Sequence, residues 1–168
     1  IETAPAVPGR LENVPCNRGF KVVVDFAHTP HALETVLCAL KNLVKGRILL
    51  VFGCGGDRDK EKRPQMGRIA DEKSDIFWLT NDNPRSEDPL NIIDDIKAGI
   101  KPGRSFHIQT DRHRAITEAI SKAKNGDLVL IAGKGHEKYQ IIKDTIIPFD
   151  DREVARKVLS KKTDKKII

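Results

Sequence analysis

The chain has 168 residues, of which 39% are hydrophobic and 32% are charged, and this composition is typical of one globular domain. Half of the net charge of +6 comes from four lysines and one aspartate in the last nine residues, and the few aromatic residues do not alternate with basic ones, which argues against nucleic-acid binding. No apolar run is long enough to span a bilayer, so a membrane protein is not expected.

The three cysteines, Cys16, Cys38 and Cys54, form no CxxC pair. Neither a disulfide framework nor a zinc site is therefore predicted, and a reducing, cytoplasmic location is expected. The first residue is Ile1 and no basic-then-apolar leader follows it, so we expect a segment of a longer protein.

The first predicted repeat of strand and helix follows a segment rich in proline and glycine. Residues 1–19 contain three prolines and two glycines and are predicted to be a linker or lead-in segment. Residues 20–26 contain a β-branched apolar run, which is typical of a strand buried on both faces. Thr29 is a suitable N-cap and Pro30 a suitable first residue for the amphipathic helix that follows and ends at Gly46.

The same alternation continues along the chain. Further strands are predicted at residues 48–52, 76–79, 105–109 and 128–132, and further helices at residues 64–73 and after Asp88, Asp111 and Asp150. Residues 139–142 and 145–149 are predicted to form two short strands around a turn. The pattern predicts an α/β fold: a Rossmann-like open, mostly parallel sheet with helices on both faces, to which the closing strands add an antiparallel edge. The domain is expected to cover residues 20–160, with a basic tail at 161–168.

Polar residues follow each of the five main strands, at the edge where such sheets bind ligands. The basic ones are Arg58, Lys60, Arg63, Arg85, Arg112 and Lys134, and the carboxylates among them include Asp25, Asp82 and Glu137. A mixed set of this kind suits an amino acid or a nucleotide. The stretch 80–85 could be a recognition site at a strand end, or an ordinary Asn-Pro turn with a solvated arginine.

Two nucleotide-binding motifs are excluded. A P-loop requires glycine where this chain has Leu128 and a serine or threonine where it has Gly135. A dinucleotide fingerprint starting at Gly53 requires a last glycine where this chain has Arg58. Most of any ATP site is therefore expected outside this chain.

Five motifs occur together in a fixed order: DFAHTP at 25–30, GCGGDRDKEKRP at 53–64, DNPR at 82–85, AGKGHE at 132–137 and DDRE at 150–153. This set resembles the C-terminal domain of the Mur ligases, from about residue 7 to residue 159. DNPR is similar to the signature of the branch of that family that adds meso-diaminopimelate. One departure is Glu61, where members often have glycine.

The resemblance implies part of an ADP-forming acid–amino-acid ligase of peptidoglycan precursor synthesis, which serves cell shape and division. In that family, ATP phosphorylates the peptide carboxylate of UDP-N-acetylmuramoyl-L-alanyl-D-glutamate, and the amine of meso-diaminopimelate attacks the acyl phosphate. ATP and Mg²⁺ are bound mainly by a central domain. The partners of this chain would be that domain and the N-terminal UDP-sugar domain of the same protein, which would be a monomer. The chain lacks the phosphate loop and modified lysine of that central domain, so it is expected to be inactive alone, with no catalytic residue or metal site of its own.

The resemblance also implies a site for meso-diaminopimelate, formed by Arg58, Asp82, Asn83, Pro84, Arg85, Gly133 and Glu137. Arg85 and Arg58 would bind the far carboxylate by charge-assisted hydrogen bonds. Glu137 and the carbonyl of Gly133 would accept hydrogen bonds from the far ammonium. Lysine lacks the far carboxylate, so it would leave the arginines unpaired and be rejected.

On the ATP side or at the closing interface, the resemblance implies Asp25, His28, Lys60 and Lys134. His28 could instead cap the helix start, and either lysine could be solvated on a loop. Cys54 is expected to pack rather than to react. Two alternative functions are a domain of a related amide-forming ligase, of the folylpolyglutamate or cyanophycin synthetase type, and a binding module without catalysis.

Overall fold

The structure, a computed structural model, describes residues 9–161. The strands are β1 (Glu12–Val14), β2 (Lys21–Asp25), β3 (Ile48–Phe52), β4 (Ile76–Leu79), β5 (His107–Ile108), β6 (Leu128–Ala132), β7 (Tyr139–Ile142) and β8 (Thr145–Pro148). The helices are α1 (Pro30–Lys41), α2 (Lys62–Lys73), α3 (Pro89–Lys97), α4 (Arg112–Lys122) and α5 (Asp151–Ser160).

Six strands form one sheet in the order β1-β2-β6-β3-β4-β5, and all neighbours in it are parallel except β1 and β2. The predicted fold class is confirmed. The antiparallel edge, however, is β1, which lies within the segment predicted to be a linker. The closing strands β7 and β8 pair with each other in a separate sheet, so the prediction that they extend the main sheet is wrong.

The helices cover both faces of the main sheet, as predicted. Strand β3 is fully buried, and its alternate residues contribute to two different cores. Leu50 packs with the residues of α1, α2 and α3, whereas Val51 packs with those of α4 and α5. Burial on both faces explains why the central strands are continuous apolar runs.

Four helices have the N-caps that the sequence predicts, namely Thr29, Asp88, Asp111 and Asp150. The hydroxyl of Thr29 accepts a hydrogen bond from the backbone N–H of Ala32 at 3.3 Å. Thr29 therefore caps α1, and the alternative in which His28 caps this helix is wrong.

No helix within residues 9–161 is long and apolar enough to cross a membrane. Most of the predicted basic tail lies outside the described residues, as does the beginning of the predicted lead-in segment.

Candidate functional site

The candidate site lies at the carboxyl ends of β3, β4 and β6, which are adjacent in the sheet. The loops after these strands pack backbone against backbone. A Cβ atom at Gly53 would lie 2.0 Å from the carbonyl oxygen of Thr80, and one at Gly56 would lie 1.9 Å from that of Pro84. Both positions therefore require glycine, which lets the loop after β3 lie directly on the DNPR loop after β4.

Two arginines converge on the loop between these glycines. A Cβ atom at Gly55 would lie 3.0 Å from Nη1 of Arg85 and 3.7 Å from Cγ of Arg58. Arg85 donates to the carbonyl of Gly56 at 2.8 Å, and Arg58 donates to the carbonyl of Asp57 at 2.9 Å. Neither guanidinium forms an ion pair with a carboxylate within residues 9–161, although Arg85 is half-buried. Both charges are thus available to a ligand.

Two other arginines of this edge are not available to a ligand. Arg112 is fully buried and binds both carboxylate oxygens of Asp151 at 2.8 Å. Arg63 is fully buried and binds Glu87 and Asp95. Both arginines had been predicted among the basic groups of the ligand-binding edge, but carboxylates 24 to 39 residues away along the chain neutralise them in the fold.

The acidic side chain of Asp82 lies beside the backbone of the loop after β6. A Cβ atom at Gly133 would lie 2.8 Å from Oδ2 of Asp82, and Gly133 has a φ of +116°, which favours glycine. Among residues 9–161, the Asp82 carboxylate has no hydrogen-bond partner, and the side chain is only half-buried. It can therefore accept hydrogen bonds from a cationic ligand beside the Gly133 backbone.

Lys134 is fully buried, although an ATP-side or closing contact was expected from it. Its ammonium donates to Glu137 Oε2 at 2.9 Å and to Asn83 Oδ1 at 3.0 Å, and it lies 5.6 Å from the centre of the Tyr139 ring. Asn83 donates to the same Glu137 oxygen at 3.1 Å. Lys134 thus joins two residues of the predicted amino-acid site and leaves Oε1 of Glu137 for a ligand.

Asp25 and His28, which were also expected on the ATP side, lie at or just after the carboxyl end of β2, and the backbone carbonyl of Asp25 accepts a hydrogen bond from the N–H of Gly133 at 3.1 Å. Asp25 is buried, and its carboxylate accepts from the backbone N–H groups of Leu11 at 2.7 Å and Ala27 at 2.8 Å. His28 is exposed, and its ring stacks edge-on against Phe26 at 4.5 Å. Asp25 and His28 line a separate depression of about 500 Å³.

Lys60 is exposed and lies 3.2 Å from Glu87, so it is paired with another loop residue. Glu87 and its neighbour Ser86 were not predicted to matter. Hydrogen bonds from Arg63, which outweigh the effect of partial burial, lower the pKa of the Glu87 carboxyl to about 2. The only signal in the sequence is that an acidic residue stands two positions after the Asn-Pro-Arg turn, where it can pair with a basic residue. The fold shows which basic residue that is.

Cys54 lies beneath the site and is buried, as expected for a packing residue. Its sulfur is 3.6 Å from that of Met66, and burial raises the pKa of the thiol to about 12. The thiol therefore stays protonated and unreactive near neutral pH.

The carboxyl edge of this parallel α/β sheet, where such folds bind ligands, carries two guanidinium groups and one carboxylate that have no ion-pair partner within residues 9–161. Residues 9–135 match the family described as "Mur ligase, glutamate ligase domain". This match covers most of the chain, which therefore belongs to that family.

Individual relatives narrow the comparison. The chain is 57% identical over 157 residues to a UDP-N-acetylmuramoyl-L-alanyl-D-glutamate--2,6-diaminopimelate ligase of Gloeobacter violaceus, covering 93% of this chain and 32% of that protein. A solved structure of a ligase of the same name superposes with a TM-score of 0.86 at 44% identity, over 93% of this chain and 32% of that one. The FolC protein of E. coli in complex with ADP superposes with a TM-score of 0.59 at 26% identity, over 77% of this chain and 29% of that one. The chain thus spans about a third of the length of the curated relatives it matches.

Proposed function

We propose that this chain is the amino-acid-binding domain of an ATP-dependent, ADP-forming ligase that adds meso-diaminopimelate to UDP-N-acetylmuramoyl-L-alanyl-D-glutamate. The observation that carries the proposal is the pair of guanidinium groups on Arg58 and Arg85, which flank one glycine and have no carboxylate partner within residues 9–161. Meso-diaminopimelate differs from lysine by a carboxylate at the far end, and this pair provides the complementary charge.

The far end of meso-diaminopimelate also carries an ammonium, for which the site has acceptors. The Asp82 carboxylate lies beside the Gly133 backbone, and Oε1 of Glu137 has no hydrogen-bond partner among residues 9–161. The buried positions of Asn83 and Pro84 fix the backbone between the acidic and the basic group. A ligand with one anionic and one cationic group at the same carbon would satisfy both halves of the site.

ATP and Mg²⁺ would be bound mainly by a central domain beyond this chain. The depression beside Asp25 suits a contact with the nucleotide from this side, because it presents the rings of Phe26 and His28 together with the cation of Arg10. We propose Asp25, His28 and Lys60 as residues that face ATP or the neighbouring domains in the closed enzyme. The chain alone is then expected to release no ADP from ATP.

The family description "glutamate ligase domain" favours one other candidate ligand, glutamate, which also has a second carboxylate. Glutamate has no second ammonium, so it would leave the Asp82 carboxylate unpaired. An unpaired charged group in a half-buried site costs binding free energy, so glutamate should bind more weakly than meso-diaminopimelate.

Calorimetric titration of the chain with meso-diaminopimelate, L-lysine and L-glutamate tests the proposal. We expect meso-diaminopimelate to bind most tightly, by about tenfold or more over either competitor, because each competitor lacks one charge-assisted contact. Tighter binding of lysine or of glutamate would contradict the proposal.

A second test uses the complete ligase. The Arg85→Ala variant should have a strongly raised KM for meso-diaminopimelate and an unchanged KM for ATP. A change confined to the KM for ATP would show that Arg85 binds the nucleotide instead.

A further inference from the structure

We propose that Asp57, Ser86 and Glu87 form a latch that positions Arg58 and Arg85 and so determines the preference for a ligand with a far carboxylate. The inference rests on the proposed function, because it concerns the same amino-acid site. None of the three residues belongs to the site predicted from the sequence. Asp57 directly precedes Arg58, Ser86 directly follows Arg85, and Glu87 lies two positions after Arg85.

The latch consists of side-chain hydrogen bonds between the loop after β3 and the loop after β4. The hydroxyl of Ser86 donates to Asp57 Oδ1 at 2.7 Å, and the backbone N–H of Ser86 donates to Asp57 Oδ2 at 3.2 Å. In return, the backbone N–H of Asp57 donates to Glu87 Oε1 at 2.6 Å. The neighbours of the two arginines are thus tied to each other in both directions.

The latch is attached to a buried arginine, Arg63. Glu87 accepts from both terminal nitrogens of the buried Arg63 guanidinium, at 2.9 and 3.0 Å, and Lys60 lies 3.2 Å from the same carboxylate. Because Arg63 also binds the carbonyl of Gly55 at 3.2 Å, it connects Glu87 to the loop that carries Arg58. The exposed contact between Asp57 and Ser86 is in this way connected to a fully buried cation.

Backbone conformation makes such an anchor necessary. Asp57 has a φ of +53° and Arg85 a φ of +51°, in the left-handed region that residues other than glycine rarely adopt. A residue in this region is strained, so the surrounding contacts must hold it there. The hydrogen bonds of Asp57 with Ser86 and Glu87 lie at one of these positions, and those of Arg85 with Gly56 lie at the other.

The functional consequence concerns selectivity. Two guanidinium groups bind one carboxylate well only when their separation and direction are fixed before the ligand arrives. A loosened latch would leave both charges present but no longer arranged for one carboxylate. Binding of meso-diaminopimelate should then weaken, whereas binding of lysine, which has no far carboxylate, should change little.

The test compares Ser86→Ala and Asp57→Asn with two matched controls in the 168-residue chain. Ser121→Ala removes an exposed hydroxyl that bonds only to its own helix, and Asp59→Asn changes an exposed carboxylate of the same loop that bonds to Glu61. Dissociation constants for meso-diaminopimelate and for L-lysine are measured by NMR titration, together with the thermal midpoint of each variant.

We expect the lysine-to-diaminopimelate ratio of dissociation constants to fall about three- to tenfold in each latch variant, which corresponds to the loss of one ordinary hydrogen bond, and to stay unchanged in both controls. Ser86→Thr, which keeps the hydroxyl, should restore the ratio. An equal loss of affinity for both ligands would indicate a merely structural role and overturn the inference, as would a ratio that none of the variants changes. A wild-type chain that does not prefer meso-diaminopimelate to lysine would instead overturn the proposed function.

Discussion

Four arginines at the same edge of the sheet differ in what surrounds them. Arg63 and Arg112 are fully buried and each binds carboxylates of the protein, whereas Arg58 and Arg85 are at least partly exposed and bind only backbone carbonyl groups among the described residues. The first pair stabilises the loops and the second pair is free to recognise a ligand. A basic residue at a binding edge can therefore be assigned to recognition only after its partners are known.

The largest effect on stability is expected from Arg112→Met. The substitution leaves the carboxylate of Asp151 fully buried and unpaired, and breaking a buried ion pair in this way costs about 3 to 5 kcal/mol. Urea denaturation measures the loss. The control is Arg114→Met, whose ion pair with Asp111 is exposed and should contribute at most about 1 kcal/mol. Similar losses for both variants would remove the distinction between the two classes of arginine.

The largest effect on binding is expected from Arg85→Ala. Loss of a charge-assisted contact should weaken meso-diaminopimelate binding by about 1.5 to 3 kcal/mol, while lysine binding stays nearly constant. Calorimetry gives both affinities, and Arg68→Ala, at an exposed position of α2, is the control. If Arg68→Ala weakened binding equally, the effect would be one of net charge rather than of a defined contact.

A smaller effect concerns the pH dependence of stability through Glu87. The pKa of its carboxyl falls from 4.5 to about 2 on folding, so the ionised group stabilises the fold above about pH 4.5 and this contribution is lost as the pH falls towards 2. Glu87→Gln should therefore lower the free energy of unfolding more at neutral pH than near pH 2. Unfolding measured across this range checks the sign, with the exposed Glu72→Gln as control. An equal loss at every pH would contradict it.

The smallest effect is expected from Lys60→Met. The Lys60 side chain is 65% exposed in its pair with Glu87, and pairs of this kind contribute about 0 to 1 kcal/mol. Stability and the affinity of the chain for meso-diaminopimelate should both remain close to the wild type in calorimetry. A loss of affinity as large as that of Arg85→Ala would place Lys60 in the amino-acid site.

The sequence predicts the elements whose signal is local. Strands β3 and β6 are continuous apolar runs, and Thr29, Asp88 and Asp111 are N-caps, so each depends on neighbouring residues alone. Strand β1 is only three residues long and is flanked by proline and glycine, so the local sequence does not indicate a strand. Its place in the sheet comes from pairing with β2 rather than from its own composition.

The candidate site was predictable in its residue types but not in its pairings. The sequence shows that Arg112 is basic, yet its partner Asp151 lies 39 residues further along the chain. Similarly, Lys134 follows a glycine on a loop, but the fold buries it between Asn83 and Glu137. Which cations remain free for a ligand depends on such distant contacts, and these are properties of the folded chain.

The most direct test of the central claim is an NMR titration that follows the side-chain Nε–Hε resonances of the arginines. With meso-diaminopimelate, we predict shifts for Arg58 and Arg85 and none for the buried Arg63 and Arg112. With L-lysine, the resonances of Arg58 and Arg85 should move little, because no far carboxylate reaches them. Equal shifts with both ligands, or a response confined to Arg63 and Arg112, would contradict the assignment of Arg58 and Arg85 as the carboxylate-binding pair.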